Sequence, residues 1–141
     1  MKLWMDHIRT EFMDQSYIIT RDRYGDWCLP PEAPELIHSK DPARITDGKL
    51  IATAYYYKLL QYMISLHSYS WTCLADDRSE ALHRQQLEQD IRGYQTLAEK
   101  VKEGFNKTFW NSEKRYYSNN TVTANLLPLA FDMIPDAEEK L

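Results

Sequence analysis

Between residues 79 and 108 apolar side chains return every three or four positions: Leu87, Ile91, Tyr94, Ala98, Val101 and Phe105. The residues between them are mostly Glu, Gln, Lys and Arg. That period places the apolar set on one face of an α-helix and the charged set on the other. A stripe of this length, roughly 27 Å from Leu87 to Phe105 at 1.5 Å per residue, has to be buried against another long element. The spacing predicts a helix over 79–108, with Ser79 or Asp77 as its cap.

Three further segments follow the same period. Leu3, Trp4, Ile8 and Phe12 predict a helix over 2–15. Ala52, Tyr55, Tyr56, Leu59, Leu60, Met63 and Leu66 predict one over 48–66, opened by Asp47-Gly48 and capped by Thr46 or Asp47. Val122 to Met133 predict a fourth over 121–133, in which Pro128 either kinks the helix or marks a break before a shorter apolar turn. No segment sustains two-residue alternation, so the chain reads as all-α, with αα-hairpins as its units.

The connections are aromatic. Residues 109–120, with Trp110, Tyr116, Tyr117, Asn119 and Asn120, read as a turn or short hairpin. Residues 67–78 are rich in Ser and Asp and carry Trp71. Residues 16–46 form a long loop, a feature that in compact domains is usually functional or embedded in a larger structure. Helix, aromatic loop, helix, aromatic loop is the pattern expected of hairpins in a toroid.

Within the long loop, Tyr24-Gly25-Asp26-Trp27-Cys28-Leu29-Pro30 is the stretch richest in chemistry. Gly25 permits a turn that other residues resist, and Pro30-Pro31 prevents a helix. Asp26 is an anionic acceptor and Trp27 a flat apolar face. A ring beside a carboxylate suits a sugar, which has apolar C–H faces and hydroxyl donors. The same residues also suit a turn-capping Asp and a core Trp. Tyr55-Tyr56-Tyr57 point in three directions on a helix, and packing explains them.

Composition narrows the function classes. At 141 residues the chain is one domain or a piece of one. A net charge of −4 with no basic stripe argues against nucleic acid. No apolar run approaches the ~20 residues of a membrane span, and Met1-Lys2-Leu3-Trp4 does not open a signal-peptide pattern. These features describe a soluble chain. The four His are scattered without metal-ligand spacing, and there is no phosphate-binding or dinucleotide fingerprint, so no metal and no cofactor are expected. Cys28 and Cys73 are read as free thiols. Glycoside hydrolysis takes two carboxyl groups flanking the scissile bond, and only Asp26 stands out as one.

Three stretches together resemble the catalytic domain of bacterial α-L-rhamnosidases, six-hairpin (α/α) toroid glycosidases. They are Tyr24-Gly25-Asp26-Trp27; Ile45 through Tyr57; and Phe105-Asn106 through Phe109-Trp110, continuing into Thr123 through Phe131. The resemblance covers nearly the whole chain, 1–141. It implies an inverting hydrolase that releases terminal L-rhamnose, with a rhamnose-containing carbohydrate as partner. It implies further that Trp27, Asp26 and Tyr24 lie at the sugar cleft. The family's general acid would fall upstream of this stretch and its general base downstream. The chain then reads as the middle of a toroid, about two hairpins of six, inactive alone and prone to self-associate through uncovered apolar faces. Two other readings fit the residues: a small all-helical protein-interaction module, and a toroid glycosidase for another sugar.

Overall fold

The computed structural model describes residues 1–22, 25–26, 35, 41–73 and 81–135. Along them lie α1 (Lys2–Phe12), α2 (Gly48–Cys73), α3 (Ala81–Phe109), β1 (Trp110–Asn111), β2 (Tyr116–Tyr117) and α4 (Val122–Ala130). The two short strands pair antiparallel, Trp110 with Tyr117 and Asn111 with Tyr116. Among the described residues the fold is therefore all-α with one tiny β-hairpin.

α2 and α3 form the central αα-hairpin. α3 buries Leu87, Tyr94, Ala98, Val101 and Phe105 of the expected stripe, adds Leu97 and Phe109, and leaves Ile91 half-buried. α2 answers with Leu50, Ile51, Thr53, Ala54, Tyr56, Tyr57, Leu60 and Met63. The caps expected for α3 at Ser79 or Asp77 lie outside the described residues.

α1 stops at Phe12 rather than 15, because Asp14 captures the backbone instead. Its carboxylate accepts from Ser16 N at 2.8 Å and Ile18 N at 3.1 Å, and Tyr17 turns the chain at φ 62°. Ile18 and Ile19 are then driven into the core, where Ile19 N donates to the buried Thr53 hydroxyl of α2 at 2.9 Å. Ser16 passes so close to α3 that a Cβ on Gly104 would stand 2.1 Å from its carbonyl oxygen.

α2 runs to Cys73, two turns beyond the expected 66. Ser65, Ser70 and Thr72 each donate to the carbonyl four residues back, at 3.0 Å. Hydroxyls that usually favour loops are thereby satisfied within a helix. Across the hairpin, Trp71 Nε1 donates to Glu88 at 3.1 Å.

α4 is capped by Thr121, whose hydroxyl accepts from Ala124 N at 3.2 Å. The helix continues through Pro128 and ends at Ala130, short of 133. There Asp132 takes φ 60°, and Met133 N closes on Pro128 O at 2.8 Å. That six-to-one bond around a left-handed residue is a Schellman ending.

Candidate functional site at the helix N-termini

The α1–α2 and α3–α4 connections meet at one end of the molecule, where α2 and α4 begin. Buried Thr46 and the α4 cap Thr121 share a hydrogen bond between their hydroxyls. Asn119 Nδ2 donates to Pro42 O at 3.0 Å and Ile45 O at 2.8 Å, tying the β2–α4 turn to the approach of α2. Asn119 Oδ1 is buried without a hydrogen bond. Asp47 caps α2, accepting from Lys49 N at 2.9 Å while its carbonyl accepts from Ile51 N. A recess of about 460 Å³ opens among Pro42, Ile45, Thr46, Gly48, Ser118 and Asn119.

The loop that carries Asp26 is anchored at the same end. Gly25 takes φ 53°, and a Cβ there would stand 3.3 Å from Asp22 Oδ2. A Cβ on Gly48 would stand 2.6 Å from that same oxygen. The Asp22 carboxylate is thus wedged between two glycine backbones, one in the loop and one at the first turn of α2. The turn needs a residue that tolerates positive φ, and the helix start needs one without a side chain. Asp26 follows at once. The residue is half-buried, yet its Oδ2 is shielded from solvent and has no hydrogen-bond partner.

A family model described as the bacterial alpha-L-rhamnosidase 6 hairpin glycosidase domain matches residues 1–141. The chain belongs to this family. No curated protein and no solved structure matches it. Family membership makes it a chain of a glycosidase domain, and its helical hairpins accord with that description.

Of the rhamnosidase residues nominated from sequence, Asp26 is placed as above, while Tyr24 and Trp27 lie outside the described residues. The other polar and aromatic clusters divide cleanly. Tyr56 and Tyr57 are core, and Tyr55 is half exposed. Tyr117 is core as well, its hydroxyl donating to Asn106 Oδ1 at 2.6 Å, and burial pushes its phenol pKa upward. Asn120 accepts from Asn125 Nδ2 at 2.9 Å, so Asn119 and Asn120 hold the turn together. Among the described residues no group of three or more His, Cys, Asp or Glu could hold a metal ion. None of the helices there is long and apolar enough to cross a membrane. Cys73 is a free, exposed thiol, and Cys28 lies outside the described residues.

Sequence reasoning missed Asp22 altogether, named Thr46 only as a possible cap of α2 and Asn119 only as turn material, and so missed what the three hold together. Each acts across a long sequence gap, on Gly48, Thr121 and Pro42 respectively, and no local pattern marks such a partnership.

Proposed function

We propose that this end of the chain is part of the sugar-binding cleft of an α-L-rhamnosidase-type glycosidase. Asp26 accepts a sugar hydroxyl, Trp27 offers its ring to a C–H face, and Tyr24 flanks them. The observation that carries this reading is the shielded, unpartnered Oδ2 of Asp26. Buried polar atoms are almost always hydrogen-bonded, and an oriented acceptor beside a glycine turn is what a hydroxyl donor would complete. In the intact enzyme the reaction is inverting hydrolysis of terminal α-L-rhamnosides. It requires an acid and a base roughly 6.5–9.5 Å apart. The chain alone supplies one candidate carboxylate and is inactive.

Incubation with an aryl α-L-rhamnoside tests the last point, and no turnover is expected. Turnover that disappears in Asp26→Asn would contradict it and make Asp26 a catalytic group. Titration with a panel of monosaccharides tests specificity. L-rhamnose should bind better than L-fucose or D-mannose. Preference for another sugar would retain the cleft and reassign the substrate.

A further inference from the structure

α3 carries a glycine that packing does not explain. Gly93 lies inside a 29-residue helix, where glycine is destabilising relative to alanine. Its φ is not positive, and a Cβ there would meet nothing within 4 Å. What the missing side chain leaves is space. Gly93 lines a recess of about 380 Å³, a volume in the range of small-ligand pockets.

The recess is cationic. Arg92, Thr96 and Lys100 follow one another at four-residue spacing along α3, with Gly93 and Leu97 on the adjoining row. Arg9 of α1 and Tyr17 of the turn after it complete the lining. Three of these residues are cations, from two helices, and none is a carboxylate, in a chain of net charge −4. Among the described residues neither Arg9 nor Lys100 forms an ion pair. Arg92 meets Glu88 at 3.6 Å, but both side chains are exposed, and such a pair holds its partners weakly. Asp6 and Asp90 line a neighbouring recess, where Lys2 holds Asp90 at 2.7 Å. Arg9, Arg92, Thr96 and Lys100 are all exposed. They belong to the charged faces of their helices, which the helical period assigns to solvent.

We propose that this recess binds an acidic sugar, a hydroxyl-bearing ring that carries an oxyanion such as a carboxylate. Guanidinium and ammonium groups make charge-assisted hydrogen bonds to oxyanions. Arg92 and Lys100 stand about 12 Å apart along the helix axis, with Thr96 between them, so the two cations bracket a ligand rather than crowd one oxygen. Arg9 adds a third cation from α1. The hydroxyls of Thr96 and Tyr17 exchange hydrogen bonds with those of the sugar. The Tyr17 ring, already approached by Lys100 Nζ at 5.4 Å from its centroid, offers a flat face to the C–H side of the sugar. Gly93 lets the ligand come close to the helix backbone. A glycosidase domain meets saccharides, and the three cations select acidic ones. The assignment rests on family membership and not on the Asp26 reading, since the recess shares no residue with that end of the fold.

Calorimetric titration of the chain with sodium D-glucuronate, beside glucose and inorganic phosphate, tests this. Saturable binding of glucuronate is expected, weakening as salt is raised, with no binding of glucose under the same conditions. Arg9→Gln and Lys100→Gln should each weaken it by about threefold to tenfold. Gly93→Glu puts a carboxylate into the recess on a stronger helix former. It should abolish binding with an unchanged circular dichroism spectrum. No binding of glucuronate overturns the proposal, as does binding that survives Gly93→Glu or that glucose matches. Phosphate bound as tightly as glucuronate overturns the sugar assignment and leaves a plain oxyanion site. Should Gly93→Glu fail to fold, the two glutamine variants decide, and unchanged affinity in both refutes the site. Asp26→Ala should leave glucuronate binding intact, so failure here and failure of the cleft reading are told apart.

Discussion

A shielded carboxylate oxygen without a hydrogen bond costs about 1–3 kcal/mol, and Asp26 Oδ2 is such an atom. Residues kept for binding commonly lower stability. Asp26→Ala should therefore leave the unfolding free energy unchanged or raise it by about 1 kcal/mol while abolishing sugar binding. Urea unfolding beside a rhamnose titration checks both halves. The glycines permit a sharper contrast. Gly104→Ala would drive a Cβ to 2.1 Å from Ser16 O, whereas a Cβ on Gly93 meets nothing within 4 Å. The first should cost roughly 3 kcal/mol as overpacking, and the second should add about 0.5–1 kcal/mol by helix propensity. Identical urea midpoints for the two variants would refute the close approach of residue 16 to α3. Burial also pushes the Tyr56 phenol up to about 12. The unfolded chain ionises this tyrosine near pH 10, so its contribution is intact below that pH and is lost as pH rises toward 12. Urea midpoints measured from pH 9 to 11.5 should fall steadily above 10.

At the scale of elements, the helices were legible because burial imposes a period, and their ends were less so because side chains decide them. The stripe on α3 marked its buried face, and Asp47 was one of two caps named for α2. The last two turns of α2 read as loop because Ser68, Ser70 and Thr72 resemble loop chemistry, yet Ser70 and Thr72 bond back along the helix. α1 was expected to run three residues too far because the role of Asp14 depends on the turn that follows it. The loop carrying Gly25 and Asp26 was readable as special from its residues alone. Its anchoring was not, since Asp22 meets Gly48 only once the chain has folded. The joint between α2 and α4 makes a prediction at this scale. Thr121→Ala removes a cap and the hydroxyl facing Thr46, and should cost about 1–2 kcal/mol, with Thr121→Ser restoring most of it. Equal losses from Ser and Ala in a thermal melt would show that packing of the methyl group, not the cap, holds the joint.

For the whole molecule, the two connections meet where α2 and α4 begin, and the glycine-anchored Asp26 lies at that same end of the fold. The four helices act as a frame that brings Asp22 and Gly25 beside Gly48, with Asn119 tying the second connection to the first. Under the proposed function, sugar recognition depends on the frame only for position, and its chemistry enters through Asp26 and Trp27. Backbone amide spectra of the isotope-labelled chain titrated with L-rhamnose test this most directly. The account predicts saturable shifts at Gly25, Asp26, Trp27 and Gly48, and their loss in Asp26→Ala while the remaining spectrum is preserved. No shift at millimolar L-rhamnose, or shifts confined to residues of α2 beyond Tyr55, would contradict it.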